Sequence, residues 1–361
     1  MGYCASGAID PPGSGDRPAG LPNVIGCGPG GSVLRSAHPP DTGLRVTAAG
    51  QPPAAGPLVV VLGSLNLDVV VAAPRVPRPG ETLLAGDARF LPGGKGANQA
   101  VAAARLGAEV AFIGRTGDDD FGRRMRANLV AAGVGVDRVG TVAGTASGMA
   151  IVVVDPQGEN TIVVSPGANA AITPDDLAEH GGLIARAAIG VVQLETPIDT
   201  VLRFARLCAD HDVGLLLNAA PYRELPAELL RHCRCLVVNR EEVAALTGVP
   251  ADDRAGARRA LAAAAGLGPA TVIVTLGDQG ALVLHDGEPF EIDAYRVPVV
   301  DSTGAGDAFV GALGAALARN WPTDRAVRYA SAAAAVVCGG LGAQRPDLTP
   351  AAVAAVQDGA P

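Results

Sequence analysis

The chain has 361 residues, of which 48% are hydrophobic, 18% charged and only 3% aromatic, with a formal net charge of −8 at pH 7. That length suits one large α/β domain or two ordinary ones, with a core built mainly from Ala, Val and Leu. The acidic balance and the scarcity of rings speak against a nucleic-acid partner, which needs a basic surface or stacking platforms. A nucleotide stays open, because backbone dipoles and Mg²⁺ can carry phosphate charge.

Residues 1–56 are rich in Gly, Pro, Ala and Ser and keep no period, so they are expected to form a disordered extension. The start lacks the basic and apolar regions of a secretory signal. Met1, Gly2 and Ser6 fit a myristoylation pattern with Cys4 nearby, a short pattern that chance supplies often. Gly26, Gly28 and Gly31 fit a dinucleotide-binding fingerprint, but no strand precedes them and the following SVLRSAHPPDTG is no helix. We discard that motif, and with it a nicotinamide oxidoreductase.

From residue 57 to the end, short apolar runs alternate with Ala-rich helical segments, which is the mark of βα units and a largely parallel sheet. Strands are predicted at 58–62, 110–113, 191–194, 215–217, 236–238 and 271–275. Helices are predicted at 94–106, 197–211, 240–246, 252–265, 306–319 and 323–338. Polar and Gly-rich residues follow nearly every strand, as in GSLNLD, GRTGDDD, ETP, NAAP, NREE and LGDQG. Open α/β sheets bind ligands at that edge. Two regions break the rhythm, 69–91 and 148–169. They read as strand pairs that combine into a small second sheet, a flap suited to excluding water. No apolar run is long enough to span a membrane. The six cysteines fit neither a disulfide framework nor a zinc site, which points to free thiols in a reducing cytoplasm.

Four motifs carry chemistry. Asn66 and Asp68 lie two apart in an extended segment, so both face one way, an amide and a carboxylate suited to hydroxyl groups. In PGGKGANQA, Gly93, Gly94 and Gly96 let the backbone approach a ligand, Lys95 adds charge, and Asn98 lies one turn into a helix. It is not a Walker A loop, because Gly follows the lysine. In DSTGAGDAF, Gly304, Ala305 and Gly306 lead into a helix beginning near Asp307, so free N–H groups meet a carboxylate. Asp307 reads either as a helix cap or as a base beside a phosphoryl acceptor. Asn239 and Glu242, with Thr275 to Gly280, place acidic and amide groups at two strand ends, suiting hydrated Mg²⁺ or simple capping.

GSLNLD, RPGET, GGKGANQAVAAARLGA, GRTGDDDFG, GENTIVVSPGAN, QLETP, NREEVAALTG and DSTGAGDAF resemble, in order, segments of the ribokinase family of carbohydrate kinases. The resemblance implies a ribokinase-like three-layer αβα sandwich with a mostly parallel central sheet and a small β lid that also makes a homodimer contact. It assigns Asn66, Asp68, Gly94, Lys95, Asn98 and Glu195 to the sugar, Asp307 to the catalytic base, and Gly304, Ala305 and Gly306 to an anion hole. Asn239, Thr275, Gly277 and Gly280 fall to the nucleotide, ATP, with Gly306 beside its phosphate, and Glu242 acts indirectly on Mg²⁺. A monovalent cation, K⁺, is expected near Asp301, Thr303, Val337, Gly340 and Gly342. Pro346 stands there where the family pattern has Ser, so one side-chain ligand is missing. The implied activity is ATP-dependent phosphorylation of D-ribose at O5 in the cytoplasm. Kinases of the same fold acting on deoxyribose, fructose, a keto-deoxy sugar acid or a nucleoside such as adenosine are the near alternatives, and a non-catalytic sugar-binding regulator is the alternative of a different class.

Overall fold

The computed structural model describes residues 56–155 and 160–359. All but the last residue of the expected extension therefore lies outside the described residues, as do its lipidation and dinucleotide patterns and part of the turn at 155–160.

The chain opens with β1 (Leu58–Leu62), β2 (Asn66–Ala72), β3 (Ala88–Gly93) and α1 (Lys95–Arg105). It continues through β4 (Glu109–Gly117), α2 (Asp120–Ala131), β5 (Val134–Val142), β6 (Gly148–Val154) and β7 (Asn160–Ser165). Next come α3 (Gly181–Ile184), β8 (Ile189–Val192), α4 (Ile198–Asp210), β9 (Gly214–Asn218), α5 (Ala227–His232) and β10 (Cys235–Asn239). The rest comprises α6 (Arg240–Thr247), α7 (Arg254–Ala265), β11 (Thr271–Thr275), β12 (Ala281–His285), β13 (Glu288–Ile292), α8 (Ala305–Ala318), α9 (Thr323–Cys338) and α10 (Pro350–Gln357).

The main sheet has nine strands in the order β13-β12-β11-β10-β9-β8-β1-β4-β5. Its members from β11 to β5 pair in parallel, and β12 and β13 close one edge antiparallel. Alternation along the strands feeds two cores. Val59 and Val61 point into one and Val60 and Leu62 into the other, each at most 1% exposed. Helices α1, α2, α8 and α9 cover the first face and α3 to α7 the second. Runs such as LVVVL and TVIVT, near-continuously apolar and rich in β-branched residues, are what a strand buried on both faces requires. The chain leaves β1 toward β4 on one side and returns at β8 on the other, and a crevice forms outside the carboxyl ends of the strands where the order reverses.

The second sheet has four strands in the order β3-β2-β6-β7. The two irregular regions are thus antiparallel hairpins, joined by a parallel β2–β6 pairing from Asn66↔Gly148 to Ala72↔Val154. Four passages of chain link this sheet to the body: 63–65, 93–95, 145–148 and 165–169. They are packed against one another. Gly94 has φ +87, and a Cβ there would fall 2.8 Å from the N of Asn66. Asn169, 2% exposed, accepts from the Leu65 N at 2.9 Å and donates to the Leu65 O at 3.0 Å and the Asn66 Oδ1 at 2.8 Å. Among the described residues no helix is long and apolar enough to cross a membrane.

Candidate active site

Helix α8 begins at Ala305, one residue before the predicted span. Gly304 is its N-cap, in the left-handed region at φ +79, and Asp307 lies inside the first turn rather than at the helix entrance. No side chain caps this end, so Asp307 is not a capping residue. The Ala305 N–H is taken by the Ser302 carbonyl at 3.2 Å. Gly306 and Asp307 are left as first-turn N–H donors with no acceptor inside the helix. A positive helix end and a buried carboxylate, only 7% exposed, therefore share one place.

Side-chain amides hold that carboxylate. Asn98 Nδ2 donates to Asp307 Oδ2 at 2.8 Å, and Gln99 Nε2 donates to Oδ1 at 3.0 Å. Both donors come from α1, whose N-terminus faces the same crevice. Asp307 lines a cleft of about 140 Å³ together with Lys95, Asn218, Asn239, Glu242, Thr275, Gly304 and Gly306. These residues come from the carboxyl ends of β9, β10 and β11 and the amino ends of α1, α6 and α8. Gly277 and Gly280 follow β11 in the adjacent turn, outside the cleft wall. A larger cavity of about 560 Å³ opens at the opposite edge, by the amino ends of β8 to β11, near Arg234, His285 and Trp321. It contains none of the predicted site residues, and the crevice with converging carboxylates, amides and a lysine is the chemically equipped one.

Electrostatics tie the sugar-side motifs to Asp307. The charges of Asp307, then Glu195 and Glu242, raise the Lys95 pKa despite burial, so its ammonium is held in the cleft. Glu195 Oε2 accepts from the Lys95 backbone N–H at 2.9 Å and from the Ser64 hydroxyl. Asp68 stands beside this group with Oδ1 buried and unpartnered. Burial, reinforced by the charges of Glu195 and Asp307, pushes its carboxyl up to about 7. Asn66 is oriented by Asn169 as described above. Asp68, Lys95, Asn98 and Glu195 are thus gathered around Asp307, with Gly94 packed against the backbone of Ser64 to Asn66.

On the other side, Asn239 caps α6 in a reciprocal box. Its Oδ1 accepts from the Glu242 N at 2.8 Å, and Glu242 Oε2 accepts from the Asn239 N at 2.8 Å. Burial still raises the Glu242 pKa. The capping reading of NREE is the one observed, and the capping pair also lines the cleft. Asp301 joins two loops. Its Oδ1 accepts from the Thr303 N and its Oδ2 from the Gly342 N, each at 2.9 Å. Burial alone would raise its pKa, but the N–H groups of Gly342 and Thr303 outweigh it and bring it below the ordinary value. The Val337 carbonyl accepts from the Gly340 N at 3.3 Å.

A model of the pfkB family carbohydrate kinases matches residues 57–350. The chain belongs to that family. Among curated members of the pfkB family, it is 38% identical over 286 residues to a ribokinase of Haemophilus influenzae, covering 79% of this chain and 94% of that one. It is 34% identical over 287 residues to a deoxyribokinase of Salmonella typhimurium, with the same coverage. Among solved structures, a ribokinase of Arabidopsis thaliana complexed with ribose and ATP superposes with a TM-score of 0.77 at 32% identity, covering 83% of this chain and 98% of that one. The αβα layers and small β sheet expected from the sequence are the fold of this pfkB family.

Sequence reasoning missed Ser64, Gln99, Asn169, Gln193, Asn218 and Gln344. Three of them left a trace: Gln193 and Asn218 are polar residues ending apolar runs, and Gln99 directly follows Asn98 in the glycine-rich motif.

Proposed function

We propose that this chain is an ATP-dependent ribokinase that transfers the γ-phosphate of ATP to O5 of D-ribose. One observation carries the reading: a buried carboxylate, Asp307, sits in the first turn of α8 inside a cleft that also holds Lys95, Asn239, Glu242 and Thr275. In phosphoryl transfer a carboxylate takes the proton of the attacking hydroxyl while fixed donors meet charge on the moving group. Asp307 fills the first role. The N–H groups of Gly306 and Asp307, with Lys95, fill the second.

Asn66, Asp68, Asn98 and Glu195 would hold the sugar hydroxyls, with Gly94 letting the backbone come close. A carboxylate with two acceptor oxygens suits a vicinal diol, which ribose offers at C2 and C3 and 2-deoxyribose does not, and it repels a sugar acid. Asn239, Thr275, Gly277 and Gly280 would border the nucleotide. Among the described residues no three His, Cys, Asp or Glu side chains form a metal cage. The donor set fits a hydrated Mg²⁺ arriving on the nucleotide phosphates, near Glu242. When bound, that ion neutralises phosphate charge. A K⁺ ion would be held by carbonyls of the loops that Asp301 ties together, at Asp301, Thr303, Val337, Gly340 and Gly342. Dependence on ATP favours the cytoplasm as the place of work.

The small sheet would also make a homodimer. Phe90, Val69, Ile151 and Val163 form one cross-strand row on a single face, and Phe90, Ile151 and Val163 are 52%, 43% and 63% exposed.

The deciding experiment is ADP release with a panel of ribose, deoxyribose, fructose and adenosine, run on the parent and on Asp307→Ala. Removing a general base is expected to lower turnover by about 10²- to 10⁴-fold. Near-normal turnover in Asp307→Ala would remove the base assignment, and preference for another acceptor would reassign the substrate.

A further inference from the structure

Asp307 is the end point of a buried relay of side-chain amides, whose orientation is fixed along its length. Gln193 Nε2 donates to Gln99 Oε1 at 2.6 Å. Gln99 Nε2 then donates to Asp307 Oδ1 and to Asn218 Oδ1, both at 3.0 Å. Asn218 Nδ2 donates to the Val237 carbonyl at 3.2 Å, which keeps its oxygen toward Gln99. Gln99 is 0% exposed and Gln193 1%.

An amide can be turned by 180°, exchanging its donor and acceptor ends, and its neighbours decide which way it points. A turned Gln99 would set its oxygen against the Asp307 carboxylate and against the Asn218 oxygen. It would also set its NH₂ against the NH₂ of Gln193. The contacts to Asp307 and Asn218 become repulsive in a site without bulk water to soften them, and Gln193, whose buried Oε1 has no partner among the described residues, would have to turn as well. The relay therefore has one arrangement, and it presents an N–H to the carboxylate.

A second, less buried arm reaches the other oxygen. Asn128 Nδ2 donates to Gln344 Oε1 at 2.6 Å, Gln344 Nε2 donates to Asn98 Oδ1 at 2.8 Å, and Asn98 Nδ2 reaches Asp307 Oδ2. Asn98 is proposed to hold the sugar, so this arm would feel substrate directly. The Gln99 arm touches no residue of that group other than its sequence neighbour. It is the part that stays fixed.

We propose that Gln99, oriented by Gln193 and Asn218, is the positioning residue that holds Asp307 in line for proton removal. The inference rests on the reading of Asp307 as the base. It assigns to Gln99 the task that a carboxylate performs for the histidine of a catalytic triad, which is to fix the rotamer of the base without taking the proton. Gln99 does not line the cleft.

The test is a kinetic split. In Gln99→Met, kcat is expected to fall about 10- to 100-fold, the range for losing one hydrogen bond to a charged group. The KM values for sugar and ATP should stay within about threefold, because uniform binding is untouched. Gln193→Met leaves the direct donor and its contact to Asn218 but removes the hydrogen bond to the Gln99 oxygen, and should show a smaller loss with the same split. It carries the test if Gln99→Met does not fold. A folded variant with unchanged kcat overturns the proposal, as does a rise in KM that accounts for the whole loss. Asp307→Ala, measured alongside, separates the two ideas. If it retains turnover, the base assignment fails. If it loses turnover while the glutamine variants keep theirs, only the relay fails.

Discussion

Replacing Asp68 by Asn should stabilise the folded chain while weakening its hold on sugar. Burial, then the charges of Glu195 and Asp307, push this carboxyl up to about 7 from its ordinary 3.8. Below pH 3.8 the group is protonated in folded and unfolded chains alike, and no difference arises. Between 3.8 and about 7 the unfolded chain releases the proton and the folded chain keeps it, so unfolding becomes easier as pH rises. The slope is about 1.4 kcal/mol per pH unit, and it closes near pH 7 at about 4 kcal/mol against the fold. The amide in Asp68→Asn never ionises and is free of this cost. Urea unfolding of both proteins at pH 5, 6, 7 and 8 should show the variant's advantage growing with pH and levelling off above 7. Sugar binding should run the opposite way. The ionised form is the better acceptor for hydroxyls, so the parent's sugar KM should fall from pH 6 to 8 and the variant's should be high and flat. An advantage independent of pH, or a sugar KM in the parent that does not respond to pH, would refute the assignment of this carboxyl.

Gly304→Ala forces a side chain into the left-handed region, at about 1–2 kcal/mol, and drives its Cβ into Ala343. Turnover should fall more than the unfolding midpoint does, and a fully active variant would detach this glycine from the site. Phe90→Lys places a charge in the exposed apolar row of the small sheet, and light scattering at micromolar concentration should show a dimer in the parent giving way to monomer. A parent that is monomeric under those conditions removes the dimer reading.

Most of the scaffold was legible because buried parallel strands read as near-continuous apolar, β-branched runs. LVVVL and TVIVT match β1 and β11 residue for residue, and α9 matches its predicted span. The strand predicted at 191–194 instead runs from Ile189 to Val192, although Gln193 and Leu194 beyond it are as buried as the strand itself. The β12–β13 hairpin was missed, although its turn, Asp286 and Gly287 with φ +49 and +85, is an Asp-Gly signal of the usual kind. Helix α2 and edge strand β5 were missed because VGVDRVGTV is half polar and only one side of it is covered.

The site divided in the same way. Asp307, Lys95 and Asn239 stood out because glycines or strand ends frame them. The glutamines did not, because their roles depend on partners remote in sequence. Gln193 lies 94 residues from Gln99, and Gln344 lies 246 from Asn98. Local pattern holds no record of such pairings. Only the buried polar residue at the end of an apolar run hints that a partner exists.

The four passages between the small sheet and the body also adjoin the side chains proposed to hold the sugar. Asn66 and Asp68 ride on β2, beyond the joint, while Lys95 and Asn98 belong to α1, on the near side. Asn169 binds two of the passages together through Leu65 and Asn66. On the proposed reading, a sugar gripped by both groups would act as a dowel across this joint. Its arrival would lock the joint, and its departure would free it. Any rotation of the small sheet and the occupancy of the sugar site would then be one coordinate, read equally well by a probe on the sheet or by the ligand itself.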